Sequence, residues 1–241
     1  LIEFSNKHFY GSRLQAIPTH PAKMPTVPPI ILTRADGIYR AGENEKEALA
    51  VVELVKTLLA QAKPPSIGIA CMNVQQRDMI LDALDDAAEE DEAFAKQLDI
   101  SRARTGSGSF EGLFVKNLEN VQGDERDVIF ISTTFGKAPG TDKVRQNFGP
   151  ISRPDGWRRL NVLFTRSKRR IELFTSMAPE DIIVDERTPQ GTKALRDYLD
   201  FAKRGVLVTT DDGERPPDSD FEVSVANVIR SLGYEVKPQL G

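Results

Sequence analysis

The chain has 241 residues, 39% hydrophobic and 28% charged, with 32 basic against 36 acidic side chains and a net charge of −4. This length holds one large or two modest domains with a buried core, and the composition is that of an ordinary globular protein. A single cysteine, Cys71, excludes an internal disulfide and, with only His8 and His20 beside it, makes a zinc site unexpected; no apolar run approaches the ~20 residues of a membrane span, and the net acidity argues against a general nucleic-acid coat protein.

In chain order, residues 1–29 read as an irregular, extended lead-in, because five prolines fall between Pro18 and Pro29. Ile30 to Leu32 is a short strand. Glu43 to Ala62 is an amphipathic helix whose apolar stripe includes Leu49, Val52, Leu58 and Leu59, stopped by Pro64 and Pro65. Ser66 to Cys71 is a buried strand, and Gln75 to Lys96 a helix with an acidic, solvated side. Leu113 to Val115 and Val128 to Thr134 are strands separated by a Gln-Gly loop. Gly136 to Gly156 is a polar excursion, Trp157 to Ser167 is partly helical, Ile171 to Phe174 is a strand and Lys193 to Lys203 a helix.

Strands alternating with helices predict an α/β architecture, a mainly parallel sheet covered on both faces. Thr209 to Ser219, rich in Asp, Pro and Gly, reads as a linker. Phe221 to Leu232 is then an amphipathic helix capped by Gly233, and Tyr234 to Val236 starts a strand. A helix and one strand cannot bury a core alone, so the divisions expected are a lead-in at 1–29, an α/β domain at 30–208, a linker at 209–219 and the start of a second domain at 220–241. The opening Leu-Ile-Glu-Phe has neither Met nor the layout of a signal peptide, which reads as a piece of a longer, cytoplasmic protein.

Charge is segregated. Nine acidic residues and one lysine lie between Asp78 and Asp99, whereas seven basic residues and one aspartate lie between Arg153 and Arg170. The acidic run is a solvated helix face on its simplest reading. Four stretches carry more information: F-S-N-K-H-F-Y-G-S-R-L (Phe4 to Leu14), I-G-I-A-C-M-N-V-Q-Q-R (Ile67 to Arg77), V-Q-G-D-E-R-D (Val121 to Asp127) and R-R-L-N-V-L-F-T-R-S-K (Arg158 to Lys168). No G-x-x-x-x-G-K-[ST] loop occurs, so the usual cradle for ATP phosphates is lacking.

In this order and spacing, the last three stretches resemble motifs IV, V and VI of superfamily 1 DNA and RNA helicases, above all the branch that includes the nonsense-mediated-decay helicases. The first resembles the segment that follows motif III. The resemblance runs from about residue 4 to about residue 204, and departs from the family at Met72-Asn73, where Pro-Tyr is common. It implies a RecA-like sheet of the P-loop-NTPase type: the second helicase lobe, with no P-loop of its own.

ATP and Mg²⁺ would be bound mainly by the missing N-terminal helicase lobe. Arg166 and Arg77 would be the catalytic cations that meet charge developing on the transferred phosphoryl group. Gln122, Gly123 and Glu125 would lie on the nucleotide side, with Gln76 counted among those contacts. Asn117 and Thr165 would touch single-stranded nucleic acid.

The tail, Ser219 to Gly241, resembles the opening of restriction-endonuclease-like domains of the very-short-patch-repair type, with Glu222 at the place of their helix glutamate. It favours DNA over RNA. Each position also has a plainer reading. Arg166 is one arginine of a basic run, Arg77 a solvent-facing residue, Asn117 a turn former, and Arg126–Asp127 a local ion pair. Ile182 to Glu186 imitates a Walker B strand but follows motif VI, and reads as a structural strand end. The competing view of the whole chain is a catalytically inert RecA-like adaptor that docks partners on its acidic helix.

Overall fold

Short runs of branched and aromatic residues, apolar on both faces, form parallel strands that must be covered on both sides. The computed structural model describes residues 2–14, 27–106, 109–204 and 220–233. Five strands make one parallel sheet in the order β1-β7-β6-β2-β5: β1 (Ile30–Arg34), β2 (Ile67–Cys71), β5 (Phe114–Asn117), β6 (Arg126–Ser132) and β7 (Ser167–Thr175). A small antiparallel pair, β3 (Thr105–Gly106) and β4 (Ser109–Phe110), stands beside it. This is the α/β RecA-like arrangement expected.

Alternation along the strands divides the core. Ile67, Ile69, Val128 and Phe130 pack with α2 (Glu45–Leu59), α3 (Val74–Glu90) and α4 (Glu92–Arg102). Ile129, Ile131, Ile171 and Leu173 pack on the other face with α1 (Ile2–Tyr10), α5 (Gly156–Phe164) and α6 (Gln190–Arg204). A last helix, α7, spans Asp220–Ser231. Among the described residues no helix is long and apolar enough to cross a membrane.

Four expectations need correction. The lead-in is not irregular throughout: residues 2–10 are helical because Phe4 is fully buried, edge-on to Phe164 (5.7 Å) and Tyr198 (4.9 Å), while Phe9 stacks on Trp157 at 5.6 Å. Leu49 is exposed; the buried stripe of α2 is Ala48, Val51, Val52, Val55, Leu58 and Leu59. The acidic helix is two helices. Asp91 interrupts it in extended conformation (φ −134°) and caps α4, its carboxylate accepting from Ala93 and Phe94 N–H at 3.0 Å. Finally, Ile182 to Glu186 is no strand end but a turn, in which Asp185 accepts from the Thr188 hydroxyl at 2.8 Å. The prolines at 18–25, His20, the linker at 209–219 and the strand from Tyr234 to Val236 lie outside the described residues.

The cap at Asp91 has a measurable worth. Asp91→Ala removes the acceptor for two helix N–H groups and is expected to cost about 1 kcal/mol. In a protein of this size that lowers Tm by roughly 2–4 °C; an unchanged melting curve would show that α3 and α4 need no side-chain break.

Candidate functional site

A parallel sheet has two edges, and the charged residues singled out in the sequence divide between them. At the edge where the strands begin, α5 ends in Thr165-Arg166 directly before β7, and the Gln122–Glu125 loop ends directly before β6. Arg166 is held by its own helix: Nε donates to Val162 O at 3.0 Å and Nη2 to Thr165 Oγ1 at 3.3 Å. A cation at a helix C-terminus is favoured there. Its Nη1 lies 3.7 Å from Glu125 Oε1, and the side chains are 21% and 53% exposed. At that exposure the ion pair contributes little, but it leaves one face of a fixed guanidinium open beside a carboxylate. Arg166 O in turn accepts from Arg126 N–H at 3.3 Å, which ties the two loops together. Gly123 turns at φ +91°, a conformation L side chains avoid, and Gln122 is exposed beside it.

Thr165 serves its own helix: its hydroxyl lies 3.1 Å from Asn161 O and 3.0 Å from Val162 O. Arg126 and Asp127 do not pair with each other. Arg126 is buried and donates to Gly112 O at 3.0 and 2.8 Å and to Glu125 O at 2.8 Å; Asp127 accepts from Ser66 N–H and hydroxyl at 3.0 Å.

The opposite edge collects Arg77, Gln76 and Asn117. Arg77, at the start of α3, is paired with Asp78. Arg77 follows β2 and Arg166 precedes β7, so the parallel sheet sets the two arginines at opposite edges. Gln76 is fully buried, its Oε1 accepting from Asn44 N–H at 2.6 Å and its Nε2 donating to Asn44 O at 3.0 Å; its amide is used by the fold and does not face a ligand. Asn117 is only 6% exposed, and its carbonyl closes a turn with Asn120 N–H at 2.9 Å.

Sequence reasoning overlooks the centre of this edge. Glu47, in the first turn of α2, is 0% exposed. Oε2 accepts from the Ser132 hydroxyl and from Thr134 N–H, both at 2.7 Å; Oε1 faces the Thr133 hydroxyl and the Asn44 amide, both at 3.3 Å. The signal available was Asn44-x-x-Glu47, a helix-cap spacing, and Asn44 Oδ1 does accept from Glu47 N–H at 3.2 Å. Beside this cluster runs an open groove of about 390 Å³ whose lining includes Tyr39, Asn73, Gln75, Phe135 and Arg145; it shares Asn147, Gly149 and Pro150 with a second groove of about 680 Å³ that includes Arg153 and Asp185.

Burial pushes the pKa of Glu47 up to about 7, against the pull of its hydrogen bonds. A carboxyl raised from its unfolded value contributes stability that is complete below about pH 4.5 and declines as pH rises to about 7. The folded state therefore loses up to about 3 kcal/mol from this group over that window. Comparing denaturant midpoints of wild type and Glu47→Gln at pH 5 and pH 8 isolates the effect: the difference between the two proteins should change by that order, and a pH-independent difference would refute it.

Among the described residues no group of three or more His, Cys, Asp or Glu side chains is placed to hold a metal ion. Residues 1–177 match a family described as AAA domain. The chain is 37% identical over 202 residues to the "Uncharacterized ATP-dependent helicase MG140" of Mycoplasma genitalium and 36% identical over 200 residues to its homolog in Mycoplasma pneumoniae. Each match covers 83% of this chain and 17% of the relative, so the chain spans about a sixth of the length of those proteins. Among solved structures, the C-terminal domain of a possible DNA helicase from Lactobacillus plantarum is 12% identical with a TM-score of 0.37, the match covering 64% of this chain and 77% of that one.

Proposed function

Since the chain belongs to the AAA domain family, we propose that it is the second RecA-like lobe of an ATP-dependent superfamily 1 helicase acting on single-stranded nucleic acid, with DNA favoured. The observation that carries this reading is Arg166, fixed by its own helix beside Glu125 and the Gly123 turn at one sheet edge. Those residues suit the phosphate and ribose end of a nucleotide: a rigid fork of donors for the γ-phosphate, a carboxylate and an amide for hydroxyls. Bound ATP with Mg²⁺ would supply the transferable phosphoryl group and its charge neutralisation. The phosphate cradle and the metal ligands would come from the partner lobe.

The two grooves at the opposite edge, with Arg145, Arg153 and the amide of Asn147, suit a strand's phosphates and bases. Arg77 at that edge is then reassigned from the γ-phosphate to this surface. We read α7 as the start of a further, nuclease-like domain, and that tail is what favours DNA. Arginines cannot hydrolyse a nucleotide that nothing holds, so this chain alone should show no ATPase. Joined to a phosphate-binding lobe, it should hydrolyse ATP faster when single-stranded DNA is added. Turnover by the purified 241-residue chain, or an ATPase indifferent to both DNA and RNA, would defeat the proposal.

A further inference from the structure

Backbone strain in this molecule is concentrated around one buried acid. Among the described residues, four other than glycine have positive φ: Ser12, Asp36, Ala41 and Thr134. Three of them stand at the C-terminal edge of the sheet, in or beside the Glu47–Asn44 cluster. Thr134, at φ +66°, is the most costly, because a β-branched side chain crowds the backbone in that region. Such a conformation persists only where its surroundings enforce it.

The enforcing contacts are explicit. Glu47 Oε2 accepts from Thr134 N–H at 2.7 Å, and Asn44 Nδ2 donates to Thr134 O at 3.1 Å, so the residue is gripped on both sides. Asn44 Nδ2 also reaches Ser176 Oγ at 2.9 Å, which accepts from Gly37 N–H at 2.9 Å. Gln76 closes on the Asn44 backbone from α3. The cluster thus joins the segments that follow β1, β2, β6 and β7. A Cβ on Gly37 would stand 1.9 Å from Asn44 Oδ1, which leaves no room for the joint to slide.

We propose that Glu47 is a positioning residue: its buried carboxylate holds Thr134 in the left-handed conformation and thereby aims the 135–150 loop, with Phe135 and Arg145, at the groove. What that groove binds rests on the nucleic-acid reading above; the positioning itself does not. Glu47→Gln tests it at nearly constant volume. In either orientation its amide nitrogen faces an obligate donor, Thr134 N–H or Asn44 Nδ2, so one contact is lost without opening a cavity.

Two readouts are taken on the whole chain: amide hydrogen exchange across 134–150, and anisotropy of a fluorescein-labelled oligo-dT at fixed salt. In Glu47→Gln, exchange across 134–150 should accelerate at least tenfold while β7 stays protected, and oligo-dT should bind at least tenfold more weakly. Adding Thr134→Gly should restore both, because glycine adopts positive φ without a steric penalty. Unchanged exchange in Glu47→Gln, or no recovery in the double variant, overturns the proposal. If Glu47→Gln does not fold, a folded double variant supports it and an unfolded one overturns it. If the wild-type chain binds no oligo-dT, the nucleic-acid reading fails, and the exchange arm still decides the role of Glu47.

Discussion

On the proposed function, replacing Arg166 by alanine should lower the kcat of the ATPase by roughly 10³-fold or more, with little loss of ATP affinity. In the role proposed for it, the guanidinium acts where charge develops, in the transition state, and only weakly in the ground state. Its neighbours already hold it in place. Val162 O and Thr165 Oγ1 take Nε and Nη2, leaving Nη1 directed to the side where Glu125 stands. Arg166→Lys should recover little, because an ammonium cannot engage Val162 O and an incoming oxygen with one planar fork. Single-turnover rates and equilibrium binding of a fluorescent ATP analogue, measured on the lobe joined to its phosphate-binding partner, separate the two effects. A near-normal kcat would reduce Arg166 to one more arginine of the basic run.

Arg126→Ala should destabilise the domain by about 3 kcal/mol. The side chain is 2% exposed and satisfies two main-chain carbonyls, Gly112 O and Glu125 O, with three hydrogen bonds. Its guanidinium also lies 4.9 Å from the Phe114 ring centre. Alanine strands the buried Gly112 carbonyl, at roughly 1–3 kcal/mol, gives up the part-buried bond to Glu125 O and removes the cation–π contact. The expected fall in Tm is about 10 °C. A shift of only one or two degrees would show that water enters and replaces the arginine.

The sheet was legible because buried parallel strands read as continuous apolar runs: Val128 to Ser132 and Ile171 to Phe174 need no partner to be recognised. The Arg166 edge was legible for a related reason. Thr165-Arg166 and Gln122–Glu125 each lie directly before a strand, so short motifs capture most of the local arrangement. Glu47 was hidden because its partners Ser132 and Thr134 are 85 and 87 residues away, and the cap spacing from Asn44 marks a helix start without marking a buried acid. Arg77 was expected beside Arg166, yet it follows β2 whereas Arg166 precedes β7, and strands that all run the same way put those two positions at opposite edges. The helix at residues 2–10 was obscured by the prolines after it; its formation depends on rings contributed by α5 and α6, more than 150 residues later.

That helix also bears on how the chain can be dissected. An excision at the first strand, the natural cut from sequence, would strip Phe4 and Phe9 from Phe164, Tyr198, Phe201 and Trp157. The remaining piece would bare a contiguous aromatic surface and tend to aggregate. A soluble minimal fragment must therefore carry its first ten residues along with its last α-helical layer, because the two ends of the lobe are one packing unit.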